Sequence, residues 1–212
     1  MSKKELERRS YTFDVRAGTD ERGSVITGRP IVYNSRTNLG FFDEVIEAGA
    51  LNTTDLTDVR FLVNHDRSKI PLARSRRNNS RSTMLLTVDD MGMSITVHLD
   101  TENNSEARSL YSAVERGDIT GMSFMFSVNN EEWDDLESEH PTRRVKEIGS
   151  VVEVSAVTFP AYEATEIQAR SKEALENARS ALEKARQQTA KPLDSGSELE
   201  LLKEKTKIIV GG

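Results

Sequence analysis

The sequence contains no cysteine among its 212 residues. This absence excludes disulfide bonds, thiolate metal sites and a cysteine nucleophile, and it suits a reducing compartment. Long apolar runs are missing too, because none approaches the ~18 residues that would cross a membrane. Residues 1–9 are rich in charge, unlike a secretory signal peptide. We therefore expect a cytoplasmic protein with no membrane partner.

Basic residues are outnumbered by acidic ones, with 29 Lys and Arg against 35 Asp and Glu and a net charge of -6. No basic face stands out, so we expect no nucleic-acid partner. A local basic run comprises Arg74, Arg76, Arg77 and Arg81. We interpret this run as a solvated loop, with a contact for an acidic partner as the alternative.

Histidine is scarce, with three in the chain. His98 and His140 lack ligand spacing to His65 or to a pair of acids, so we predict neither a metal site nor a cofactor. His98 is expected on a solvent-facing side of its strand. Only His65 follows an apolar strand, 59–63, whose end would fix an imidazole and still let it reach solvent.

The stretch 119–128 has the pattern of a half-buried strand. Apolar residues at 122, 124, 126 and 128 alternate with Ser123, Met125 and Ser127. If the apolar face is buried, the side chain of Ser123 must lie on the opposite face of the strand. Taken alone, Ser123 is best interpreted as an ordinary serine in a strand. A functional role becomes plausible only in combination with His65 and with a third stretch of the sequence.

The third stretch is the apolar run 151–157, which is interrupted by Glu153. An unpaired carboxylate in so apolar a strand is costly, so a partner is expected and His65 is a candidate. Serine, histidine and an acid are the parts of a nucleophile activated by an oriented base. Two alternatives stay open: Ser155 as the nucleophile, and Asp66 as the acid that orients His65.

The overall pattern predicts a mainly β protein with helices, of the α+β class. About eight short strands with one or two helices between them favour an antiparallel β-barrel of about seven strands, closed or nearly closed and decorated by helices. The clearest helix is 104–116, with one apolar stripe and Gly117 at its end. A short helix is expected near 52–57, and polar loops at 67–82 and 129–142.

Composition divides the chain into a flexible leader (1–10), one domain (11–170) and a helical or partly disordered C-terminal tail (171–212). Apolar residues in the tail form a narrow helical seam among charged residues. The seam residues are Leu175, Ala178, Leu182 and Ala185.

Five short motifs occur here in the order in which one protein family carries them. They are Val32-Tyr33-Asn34, Glu44-Val45-Ile46-Glu47-Ala48-Gly49-Ala50-Leu51, Asn64-His65-Asp66, Arg116-Gly117-Asp118-Ile119-Thr120-Gly121-Met122-Ser123-Phe124 and Glu153-Val154-Ser155-Ala156-Val157-Thr158-Phe159-Pro160-Ala161-Tyr162. Over residues 11–170 the chain resembles the tailed-phage (HK-97-type) prohead maturation proteases, which are similar in fold to herpesvirus assemblins. The resemblance implies a serine endopeptidase that acts inside the immature capsid, in the host cytoplasm.

The resemblance also implies roles for individual residues and partners. Ser123 would be the nucleophile, His65 the general base and Glu153 the third member, where assemblins use a second histidine that has no counterpart here. The substrates would be scaffold protein or the scaffolding segment of the major capsid protein, and the enzyme itself, which would also self-associate. We further expect oxyanion-hole donors in residues 159–165, and removal of the tail after about residue 171 by self-processing.

Two other classes of function compete with this prediction. The first is a capsid-assembly or scaffold-binding protein with the same fold and no catalysis, which the helical tail favours mildly. The second is a small esterase-like hydrolase. It is disfavoured because the sequence has no Gly-x-Ser-x-Gly elbow and its strands do not alternate with helices.

Overall fold

The computed structural model describes residues 6–12, 15–158 and 164–189. The strands in these ranges are β1 (Glu7–Thr12), β2 (Arg16–Asp20), β3 (Gly23–Val32), β4 (Arg36–Asn38), β5 (Asp43–Ile46), β6 (Asp58–Val63), β7 (Ala73–Arg76), β8 (Met84–Asp89), β9 (Gly92–His98), β10 (Gly121–Asp134) and β11 (Thr142–Val157). The helices are α1 (Ser105–Glu115) and α2 (Ala164–Thr189). The predicted mainly β, α+β class is confirmed.

The strands form two sheets. In the seven-stranded sheet the order is β1-β10-β11-β5-β4, and β6 joins β11 to β7. The first residues of β11 pair in parallel with β5 and its last residues pair in parallel with β6. The second sheet has four antiparallel strands in the order β2-β3-β9-β8.

The predicted antiparallel barrel, closed or nearly closed, is not confirmed. Within the described residues the seven-stranded sheet has open ends at β1 and β4, and two of its pairings are parallel. The length of β11 is the physical reason, because its 16 residues let β5 and β6 lie one after the other along the same edge. Hydrophobic alternation shows which face of a strand is buried, but it does not identify the neighbouring strands.

One hydrophobic core joins both sheets and α1. It contains Phe124 and Phe126 of β10, Ile95 of β9 and Leu110 of α1. The helix predicted at 104–116 is confirmed, and the Asn104 side chain caps it by accepting hydrogen bonds from two first-turn N–H groups at 3.0 and 3.3 Å. Among the described residues, no helix is long and apolar enough to cross a membrane.

Several local predictions differ from the structure. The expected short helix at 52–57 is a series of turns, in which Asp55 forms a bridge with Ser150. The loop expected at 67–82 contains β7, and the one at 129–142 contains the end of β10. Residues 7–10 of the predicted leader lie in β1, which pairs antiparallel with β10.

The chain divides into two compact units between Glu173 and Ala174. The first unit contains both sheets and α1. Residues 171–189 of the predicted tail lie in α2, and residues 190–212 lie outside the described part of the chain.

Candidate active site

Ser123 lies near the start of β10, where the predicted alternation is confirmed. Met122, Phe124 and Phe126 belong to the hydrophobic core, so Ser123 is on the other face of the strand. That face is not open to solvent, because the relative exposure of Ser123 is 0%. The serine is flanked by Ser10 of β1 on one side and by Ser155 of β11 on the other.

His65 is positioned by a left-handed turn directly after β6. Asn64 and His65 have φ angles of 50° and 57°, a region that few residues other than glycine adopt. The Asn64 side chain holds this turn against the end of β11. It donates to Thr158 Oγ1 at 3.0 Å and accepts from the Thr158 N–H at 2.9 Å. The imidazole is thereby directed back towards β10.

The His65 ring connects Ser123 with Glu153. Its Nε2 atom lies 2.7 Å from Ser123 Oγ. Its Nδ1 atom contacts the Glu153 carboxylate. The side chains of His65 and Glu153 are 2% and 5% exposed, so this contact is shielded from water. The three residues named from the sequence therefore meet at one place in the fold.

Strand register explains why Glu153 and Ser123 share a face. Ser123 lies opposite Ser155, and Met125 lies opposite Glu153. Because side chains alternate along a strand, all four project on the same side of the sheet. The carboxylate of Glu153 receives a second hydrogen bond from Ser155 Oγ at 3.2 Å, which lowers the cost of burying it.

The two alternatives from the sequence have other contacts. Ser155 Oγ lies behind the imidazole, where it accepts a hydrogen bond from the His65 backbone N–H at 3.2 Å. Asp66 turns away and binds the N–H and the hydroxyl of Ser68, at 3.0 and 2.5 Å. These hydrogen bonds from Ser68 lower the pKa of Asp66. Neither residue occupies the position of the nucleophile or of the carboxylate on Nδ1.

One contact of Ser123 could not be predicted from the sequence. Its hydroxyl donates to the backbone carbonyl of Arg9 at 2.9 Å. Residues 7–12 read Glu-Arg-Arg-Ser-Tyr-Thr, and their charged first half gives no apolar alternation from which a strand could be predicted.

Buried charges fix β1 to the sheet. The Arg9 guanidinium binds Glu44 at 2.5 and 2.6 Å and lies 5.4 Å from the centre of the Phe126 ring. Arg143 binds Glu44 at 3.0 Å and Glu7 at 2.6 and 2.8 Å. Burial raises the pKa of Glu7, but the hydrogen bond from Arg143 and the charges of Arg9 and Arg143 outweigh it and lower that pKa to about 2.

The other two histidines are paired elsewhere. His98, which we predicted to face solvent, is 8% exposed, and its Nε2 lies 2.9 Å from Asp20 Oδ2. His140 lies 2.9 Å from Asp43 Oδ1. Within the described ranges, no group of three or more His, Asp or Glu side chains could hold a metal ion. The predicted oxyanion-hole segment, 159–165, falls mostly outside the described residues, which resume at 164.

Comparison with known proteins places this geometry in context. Residues 6–180 match the family Peptidase_S78, described as the caudovirus prohead serine protease. No curated protein matches the sequence. A solved structure of the bacteriophage T4 capsid assembly protease, gp21, is 13% identical with a TM-score of 0.43, over 72% of this chain and 97% of that one.

Proposed function

This chain belongs to the caudovirus prohead serine protease family and is a capsid-maturation protease, and we propose that Ser123, His65 and Glu153 are its catalytic triad. One observation carries the proposal: Ser123 Oγ lies 2.7 Å from an imidazole whose other nitrogen contacts a buried carboxylate. These contacts match the arrangement in which a base activates a serine and an acid orients the base.

In the first half of the reaction, Ser123 Oγ attacks the carbonyl carbon of the scissile peptide bond. His65 Nε2 takes the hydroxyl proton as the bond forms. The tetrahedral intermediate then collapses and the C–N bond breaks. The same proton passes from Nε2 to the departing amine, which leaves an ester between Ser123 and the acyl half of the substrate.

In the second half, water attacks this ester while His65 accepts one of its protons. The proton returns to Ser123 Oγ as the ester breaks, and the product leaves as a carboxylic acid. Glu153 accepts the hydrogen bond from Nδ1 and stabilises the imidazolium that forms twice in each cycle.

The substrates that we propose are scaffold protein or the scaffolding segment of the major capsid protein, and the protease itself, within the prohead. Family membership supports capsid proteins as a class of partner. The choice among them is part of the proposal. The proposal also includes self-association of the protease and removal of its residues after about 171 by self-processing. Comparing the intact masses of the wild-type and Ser123→Ala proteins tests this removal.

Co-expression with the phage's own major capsid protein tests the proposed function. We expect the wild-type chain to shorten the capsid protein, as measured by intact mass, and the Ser123→Ala variant to leave it at full length. Ser127→Ala is the matched control, since Ser127 is a buried serine of the same strand that contacts only Ser150 Oγ among its described side-chain partners, at 3.0 Å. A capsid protein that co-purifies uncut with all three chains would indicate a non-catalytic binding protein instead.

A further inference from the structure

Strand β1 lies directly beside Ser123. Ser10 is the direct neighbour of Ser123 in the β1–β10 pairing, and Ser123 is fully buried. Attack on a peptide requires its carbonyl carbon at about 3–3.5 Å from the nucleophile. In this strand Ser123 Oγ contacts the peptide group of Arg9, whose oxygen is 2.9 Å away.

The contact with Arg9 also competes with catalysis for a proton. A serine hydroxyl has a single proton to donate. When this proton points to the Arg9 carbonyl, His65 Nε2 must donate to Ser123 Oγ rather than accept from it. Because Nδ1 already donates to the Glu153 carboxylate, the ring would carry both protons and could not act as a base.

We infer that β1 is an intramolecular occupant of the substrate site, and that a peptide substrate replaces it as an antiparallel strand on β10. This inference rests on the proposed function. Extended peptides commonly bind by adding a strand to a sheet edge, where main-chain hydrogen bonds supply affinity. β1 is suited to exchange because, among the strands that the structure describes, it is the terminal one of its sheet and pairs with β10 alone.

The surroundings of Arg9 indicate which side chain a replacing strand would carry. Removal of β1 leaves Glu44 and Glu131 bound to one guanidinium, Arg143, and uncovers the Phe126 ring against which Arg9 lies. Glu44 is 1% exposed and receives two hydrogen bonds from Arg9, at 2.5 and 2.6 Å, so removal of Arg9 leaves a buried carboxylate without most of its contacts and a cation at that position restores them. Substrates with Lys or Arg at the position of Arg9 are therefore the class that fits.

A reversible crosslink tests the exchange. The chain has no cysteine, so an Arg8→Cys/Met125→Cys pair introduces the only two thiols. Arg8 and Met125 are opposed in the register. Opposed residues of an antiparallel pair have Cα atoms about 4.5–5.5 Å apart, within the range for a disulfide. The readout is the rate at which a fluorophosphonate labels the protein, with each single variant as a control under the same oxidising conditions.

We expect labelling of the oxidised pair to be at least about 100-fold slower than labelling of the reduced pair, because reactivity follows the fraction of open molecules. Equal rates in the two forms would overturn the inference and leave the proposed function standing. Absence of labelling in both forms and in the wild-type chain would overturn the proposed function, and the inference with it.

A second pair of variants weakens β1 without a crosslink. Arg9→Ala removes one partner of a buried ion pair, and we expect labelling to become about tenfold faster or more. Arg29→Ala removes an arginine from an exposed ion pair with Asp89 in the other sheet and should leave the rate unchanged. An Arg9→Ala rate no faster than wild type would contradict the occupant role.

A peptide copying residues 6–12 tests the preference for a cation. Added to the Arg9→Ala protein, it should slow labelling, whereas the same peptide with Arg9→Glu should not. Equal inhibition by both peptides would overturn the predicted preference for Lys or Arg.

Discussion

Glu153→Gln removes one negative charge from the proposed triad and nearly preserves its shape. The amide oxygen can still accept the hydrogen bond from His65 Nδ1, and the new NH₂ group can donate to Ser155 Oγ, which has two lone pairs. What is lost is the attraction between a carboxylate and the imidazolium formed during the reaction. At a separation of about 4 Å and an effective dielectric constant of about 20, this attraction is about 4 kcal/mol. Since 1.36 kcal/mol is a factor of ten, we expect cleavage about 10³-fold slower.

The assay is the initial rate at which the purified protease shortens its capsid protein, followed on gels. Ser123→Ala and His65→Ala should fall much further, by about 10⁶-fold, because they remove the nucleophile and the base. Thermal unfolding of all three variants serves as the control for folding. A folded Glu153→Gln variant that cleaves at close to the wild-type rate would refute the role of Glu153 as the orienting acid.

Three further predictions concern the supporting residues. Ser155→Ala should cost about 2 kcal/mol in urea unfolding, because the buried N–H of His65 loses its partner, yet fluorophosphonate labelling should persist; its complete loss would identify Ser155 as the nucleophile. Asn64→Ala should be less stable than Asn64→Gly by about 1–2 kcal/mol, since only alanine resists the left-handed φ of 50°, and equal melting temperatures would contradict this. Glu7→Gln should reduce stability by up to about 3 kcal/mol above pH 4.5, because the folded-state pKa of Glu7 is lowered from 4.5 to about 2. That difference should disappear as the pH falls from 4.5 towards 2, and a loss that is independent of pH would rule out the charge as its cause.

The parts of the fold that the sequence predicted best are those with one local cause. Alternation placed Ser123 on the face opposite the core, and the apolar stripe of residues 104–116 predicted α1, which buries Ala107, Leu110 and Val114. The shared face of Glu153 and Ser155 follows from their spacing of two along β11. Such patterns depend only on residues that are close in the sequence, so the folded structure retains them.

The failures depend on partners that are distant in the chain. β1 is stabilised by ion pairs with Glu44 and Arg143, so its own charged residues gave no reason to predict a strand. The left-handed conformation of His65 follows from contacts between Asn64 and Thr158, which are distant in sequence. The barrel was predicted from the number of strands alone. The sheet is open because β11 pairs with both β5 and β6, and this pairing could not be predicted from the number of strands.

The central claim is that His65 activates Ser123, and mapping of a covalent adduct tests it most directly. After reaction with a fluorophosphonate, tandem mass spectrometry of the digested protein should place the adduct on Ser123 in the wild-type chain and find none in His65→Ala. An adduct on Ser155, or equal modification of Ser123 with and without the imidazole, would contradict the account.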